Sequence, residues 1–380
     1  MVLNLGYRYQ CSRETFEQAG YTPEDGVRIM QRSVKLANDA RKAYLAEEEE
    51  GGGATAPTTP KEIFIALSLG PFGSTINPPQ DFDGFYPPPF GPKGPSSLNG
   101  ANTRLFSSSN VVETETLEEE EEEEEEEKAI EALAEFHLWR LRAVASDPET
   151  WNSINYIAFE TVPHLRELRA IKAAMARFDA EIRTARGEES SGSLIGARSS
   201  RGLLLLLRGW WVSLVFPDGG ESVQWGPEER EGQTRSLGLD LTKYPYYQSG
   251  ILNVVLDERI GAVPTGLGIN CTRIDQYPSI LSSILSDSKY TLGVEKTPVP
   301  LTLIVYPNGG RIGDSFDLLT YRWKNDGGSR PDGRNVTWEE EVVEVVQKCQ
   351  DEWKDVIVGG CCRVYPPQIK ILREKVNKGL

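Results

Sequence analysis

Residues 154–171 read INYIAFETVPHLRELRAI. The first part, Ile154–Phe159, is a largely continuous apolar run of strand length. The part from Pro163 carries a helical pattern that continues to Thr184. Continuous rather than alternating apolar runs are how strands buried on both faces read. The same strand-then-helix unit recurs along the chain. Strand-like runs lie at Val2–Gly6, Ile63–Leu69, Trp210–Phe216, Thr265–Ile269, Leu301–Tyr306 and Val356–Val358. Helical patterns fall between them at Asp25–Leu45, Lys128–Val144, Ile274–Leu285, Thr337–Trp353 and Pro367–Val376. Strands alternating with helices imply βαβ units and a parallel sheet. Repeated this often without a compositional break, the pattern predicts an α/β fold of the (β/α)8 TIM-type barrel class in a single domain, 1–380.

Hydrophobic residues make up 39% of the 380, so part of the chain is expected to lie outside the core. Five segments have the composition of insertions: 47–60, 87–127, 187–201, 218–242 and 311–334. They are rich in Gly, Pro, Ser or charge, and are read as disordered loops that cannot offset their ordering entropy. Glu118 to Glu127 is an unbroken run that carries ten of the sixteen excess negative charges. It could extend the helix that follows it, but the expectation is a solvated, self-repelling tract. No basic stripe interleaved with aromatics suggests a nucleic-acid partner. Met1–Tyr9 lacks a secretory pattern, and Leu203–Phe216, broken by Arg208 and Gly209, is too short to span a bilayer. A cytoplasmic setting with no membrane partner is expected.

In a reducing compartment five cysteines argue for metal or catalytic use rather than a disulfide framework. Cys271 ends the run GLGIN (266–270), and Cys361 and Cys362 end VIVGG (356–360). Both runs are strands of the proposed barrel, the sixth and the last, and barrel active sites form at C-terminal strand ends. Three thiolates and an open position suit a catalytic zinc. Gly359-Gly360 is read as giving the backbone freedom to turn adjacent sulfurs inward. Buried packing and a vicinal redox pair stay open on spacing alone. Cys11 and Cys349 fall outside this pattern, and His137 and His164 read as packed helix histidines.

GINCT (268–272) followed by VGGCCR (358–363) resembles the zinc-binding signature of the homocysteine S-methyltransferase family. IALSLGPFGS (65–74) with DFDGFY (81–86), IAFETVPHLRELRAI (157–171), LIVYPNGG (303–310) and YQCSRETFEQAGYT (9–22) resemble other frame segments of that family. The resemblance implies a barrel holding Zn2+ through Cys271, Cys361 and Cys362. It implies L-homocysteine as acceptor and a sulfonium, S-methylmethionine or S-adenosylmethionine, as methyl donor. Glu160 matches the family glutamate that contacts the amino group of homocysteine. Phe72, with Phe85 and Tyr86, is expected either to line the donor site or to pack its own loop. Asn308 is expected to bind substrate or to hold a turn with Gly309.

The family's first strand, which ends in an Asp-Gly-Gly type loop, has no counterpart here, so the barrel is expected to be N-terminally truncated, lacking its first strand and helix. The alternative to an active methyltransferase is a catalytically inactive, zinc-binding barrel remnant.

Overall fold

The computed structural model describes residues 2–4, 9–51, 62–82, 84, 86–91, 117–185, 208–216, 250–286, 298–309, 314–317, 322–325 and 336–379. Its centre is a seven-stranded sheet. The strands are β1 (Val2–Asn4), β2 (Phe64–Leu69), β3 (Tyr156–Val162), β4 (Gly209–Leu214), β5 (Gly266–Arg273), β6 (Val299–Asn308) and β9 (Trp353–Val358). Every neighbouring pair is parallel, and the order in the sheet is the order in the chain, with β1 and β9 at the two edges. Parallel neighbours need crossover connections. The described crossovers are helical: α1 (Arg13–Gln18) and α2 (Pro23–Gly51), α3 (Leu117–Ala145) and α4 (Pro148–Ser153), α5 (Leu165–Ala185), α6 (Gly250–Leu256), α7 (Tyr277–Ser286) and α8 (Trp338–Cys349). A last helix, α9 (Pro366–Gly379), follows β9.

Local sequence explains these elements. In α8, Thr337 caps the N-terminus: its hydroxyl accepts from the Glu340 amide, and the Glu340 side chain accepts from the Thr337 amide. Trp338, Val342, Val345, Val346 and Cys349 then recur at helical spacing and are buried. Cys349 is therefore a small core residue, its thiol turned to the Val346 carbonyl.

The strands separate residues by parity. Leu67, Ile157, Phe159, Trp210, Val212, Leu267, Ile269, Leu303 and Val305 join helix residues such as Leu133, Leu168, Met175 and Val342 in the main core. Ala66, Ala158, Trp211, Ile304 and Tyr306 form a second cluster that includes no helix residue. That face is crowded: a Cβ on Gly268 would stand 2.3 Å from the Ser213 hydroxyl. This face is concave. Strands two apart in a flat sheet are about 9–10 Å from each other. Yet the Thr161 amide on β3 donates to the Asn270 side chain on β5 at 2.8 Å.

Two expectations about the insertions need correction. The glutamate run is helical, forming the first turns of α3. The repulsion is offset locally: Glu124 pairs with Lys128 at 2.7 Å, and Glu126 meets Arg166 at 2.6 Å and Arg169 at 3.7 Å across the α3–α5 contact. Carboxylates near a helix N-terminus also suit its dipole. In 311–334, Asp314–Asp317 (β7) and Arg322–Asn325 (β8) pair as an antiparallel ribbon, so that insertion is not wholly irregular. Residues 47–51 belong to α2. The rest of 47–60, residues 92–116, and the insertions 187–201 and 218–242 lie outside the described residues.

Candidate metal centre

The C-terminal ends of β3, β5, β6 and β9 converge. The Sγ of Cys271, the sixth residue of β5, lies 3.2 Å from Cys361 Sγ and 3.9 Å from Cys362 Sγ. All three sulfurs lie within 4.8 Å of one another, a spacing that could hold one metal ion. Cys271 is buried, Cys361 half-buried and Cys362 exposed, so the cluster is open on one side.

The adjacent cysteines are held by the end of β6. Gly359 N–H donates to Val305 O at 2.8 Å, Cys361 N–H to Pro307 O at 2.8 Å, and Gly309 N–H to Cys362 O at 2.7 Å. The role expected of Gly359-Gly360 shifts accordingly. Neither adopts a left-handed φ; Arg363 does, at 63°. Gly360 is required by space, because a Cβ there would lie 2.5 Å from Val364. Among the described residues the non-glycine positions with positive φ are Thr161, Cys271 and Arg363, and all three border the sulfurs. Such backbone is costly and persists where surrounding contacts enforce it.

Three thiols this close cannot all ionise without a compensating cation. Hydrogen bonds from Cys271 and Cys361 pull Cys362 down to about 3, while Cys271 is pushed well above the ordinary thiol value by Cys361, by Cys362 and by burial. One sulfur takes the negative charge and the others keep their protons.

Asn270, which sequence reading passed over inside GINC, is 1% exposed and touches both halves of the site. Its Oδ1 accepts the Thr161 amide. Its Nδ2 lies 2.8 Å from Thr161 Oγ1, 3.4 Å from Cys271 Sγ and 3.8 Å from Cys361 Sγ. Its position on the concave face of a strand end is a signal that parity could have supplied. Glu160, one residue before Thr161, is buried on the same face and accepts from Ser68 Oγ at 2.5 Å. Tyr306 donates to Ser213 Oγ at 2.5 Å, and its phenol is pushed well up by burial and by the Glu160 charge. Tyr9 donates to Asp81 at 3.1 Å, and burial, then Asp81, then Cys271 push its phenol well up.

Asn308 is buried at the end of β6, its backbone carbonyl accepting from Trp338 Nε1 while its Oδ1 has no partner among the described residues. Phe72 is placed differently from a ligand-facing ring. It stacks on Phe90 at 3.8 Å, meets Tyr86 and Phe136 edge-on, and is 4% exposed, as the loop-packing alternative requires. Phe85 lies outside the described residues.

Beneath the Phe72 loop is a second polar cluster that sequence reading missed. Glu167, fully buried in α5, accepts from the Phe72 amide at 2.7 Å, Tyr86 OH at 2.6 Å and His137 Nε2 at 3.0 Å. The Glu167 amide donates to His164 Nδ1 at 3.1 Å. Both histidines are buried, as the sequence reading expected.

The family model described as homocysteine S-methyltransferase matches residues 7–376. A betaine-homocysteine S-methyltransferase of Drosophila melanogaster is 24% identical over 97% of this chain and 77% of its own length. A selenocysteine methyltransferase of Astragalus bisulcatus is 20% identical over 98% and 77%. Homocysteine S-methyltransferase 2 of Arabidopsis thaliana is 22% identical over 97% and 76%. Among solved structures, the metallated homocysteine methyltransferase MmuM of Escherichia coli superposes with a TM-score of 0.50 at 18% identity, covering 98% of this chain and 79% of that one.

Proposed function

The chain belongs to the homocysteine S-methyltransferase family, and on that footing we propose that it moves a methyl group from a sulfonium donor to L-homocysteine, forming methionine. The observation that carries this reading is the convergence of three sulfurs, from β5 and from the turn after β9, at one open rim of the concave face. The same membership supports reading the curled, in-order parallel sheet as the frame of a (β/α)8-type barrel.

The donor set fits zinc. It is all sulfur, it contains one more potential negative charge than a divalent ion, and it is exposed at Cys362, which leaves room for a further ligand. Cys271, Cys361 and Cys362 would hold the ion. When bound, zinc would keep these sulfurs as thiolates and favour the thiolate form of an arriving thiol.

The chain's own residues do the rest. Glu160, oriented by Ser68, presents a carboxylate at the strand end for the ammonium of homocysteine. Asn308 Oδ1, buried and without a partner among the described residues, supplies an acceptor for a substrate N–H or O–H. Phe72 acts by packing, keeping the loop after β2 in place. In the transfer the homocysteine thiolate forms the new S–CH3 bond as the donor's S–CH3 bond breaks. The donor sulfur takes the electron pair and leaves as a neutral thioether.

The test is to incubate zinc-loaded protein with homocysteine and S-methylmethionine and follow methionine by mass spectrometry, using donor with a labelled methyl group. Labelled methionine is the expected product. Its absence with this donor, S-adenosylmethionine and betaine, in protein that holds metal, would favour the inactive remnant.

A further inference from the structure

The orientation of the Asn270 amide beside the sulfur cluster is fixed by its partners. The Thr161 amide can only donate, so the Asn270 atom facing it is the oxygen, and the atom facing the sulfurs is Nδ2. Nδ2 has two hydrogens and three acceptors in reach. Thr161 Oγ1 at 2.8 Å takes one, and Cys271 Sγ at 3.4 Å and Cys361 Sγ at 3.8 Å share the other. Having accepted from Asn270, Thr161 Oγ1 can direct its own proton to Cys271 Sγ at 3.7 Å. Cys362 receives neither an amide nor a hydroxyl among the described side chains. Its sulfur partners are the Cys271 thiol at 3.9 Å and the Cys361 thiol. The left-handed backbone at Thr161, φ 59°, and at Cys271, φ 50°, is what brings these groups together.

We propose that Asn270 is a positioning residue that makes the three sulfurs unequal, drawing charge from Cys271 and Cys361, with the help of Thr161, and leaving Cys362 electron-rich. The inference rests on the reading of the cluster as a metal centre. N–H···S and O–H···S bonds spread the negative charge of a thiolate, lowering both its donation to a metal and its nucleophilicity. That second effect has a use. Any protein thiolate beside a sulfonium donor can attack the methyl carbon itself, forming S-methylcysteine and releasing the donor's thioether. Asn270 protects the two inner sulfurs from that self-methylation.

The experiment uses the full chain loaded with Co2+, whose thiolate-to-metal charge-transfer bands report electron density on sulfur. Asn270→Asp keeps the acceptor for the Thr161 amide and removes both amide hydrogens. Its bands should move to longer wavelength, because sulfurs relieved of the amide hydrogens donate more strongly to the metal. Thr161→Val, which introduces no charge, should shift the bands the same way by less. Exposed to S-methylmethionine, zinc-loaded Asn270→Asp should accumulate S-methylcysteine at Cys271 or Cys361 faster than the parent, read by peptide mass spectrometry. Co2+-loaded variants with bands at the parent position and no excess methylation would overturn the inference. If Asn270→Asp does not fold, the Thr161→Val spectrum decides. If the parent chain binds no Co2+, it is the metal reading that fails, and this inference falls with it.

Discussion

Two polar clusters, one buried and one at an open rim, sit in one α/β frame, and they are finished differently. Around Glu167 every contact is complementary: a backbone amide, a phenol and an imidazole converge on one carboxylate. Burial alone would push that carboxyl up, but the His137 and Tyr86 donors outweigh it and hold Glu167 below the carboxylate range. At the rim, three groups of the same kind crowd together, and the surrounding donors approach without neutralising them. In the first cluster the carboxylate is fully paired, although His137 Nδ1 and His164 Nε2 have no partner among the described residues, and it ties the Phe72 loop to α3 and α5. The second is open and calls for a cation. A satisfied network stabilises; an unsatisfied one of like groups marks a place where something binds.

The largest break in this contrast should come from Glu167→Ala. It strands an amide, a phenol and an imidazole in the core, and should cost about 3–5 kcal/mol of unfolding free energy by urea titration. A change below ~1 kcal/mol would show that the hub holds nothing together.

Acid should sharpen it next. Burial first, then the Arg166 charge, hold His164 at about 3 against an ordinary 6.5. Its Nδ1 accepts the Glu167 amide only while unprotonated. The unfolded chain therefore takes up the proton first. The stability is present above 6.5 and is lost as pH falls toward 3, and the lowered Glu167 acts in the same direction. Melting temperature should drop across this window, and His164→Gln should flatten the drop. A parallel profile would contradict the assignment.

The smallest effect on folding belongs to the rim. Cys361→Ala in metal-free protein should change unfolding free energy by less than ~1 kcal/mol, because the half-buried thiol completes no closed network. A loss matching that of Glu167→Ala would mean that the sulfurs are structural.

Much of this frame was legible in the sequence. Strands buried on both faces read as continuous apolar runs, and each of the seven runs corresponds to a strand of the sheet. The three cysteines stood out because each lies at or just past the end of such a run. What escaped reading depends on which way a side chain faces. Glu167 lies in HLRELRAI among charges that look solvated, yet its turn of α5 faces inward. Asn270 lay inside a quoted motif, but its role depends on a left-handed residue on another strand. The glutamate run was misread because its repulsion is local and visible, while Arg166 and Arg169, which offset it, come from a distant helix.

The central claim is that the three sulfurs form a metal centre. Elemental analysis of the full chain, purified under reducing, zinc-replete conditions alongside its Cys361→Ala variant, tests it most directly. About one zinc per parent chain, lost in a variant that stays folded, is the predicted result. A parent chain without metal, or a variant that retains it fully, would contradict the account.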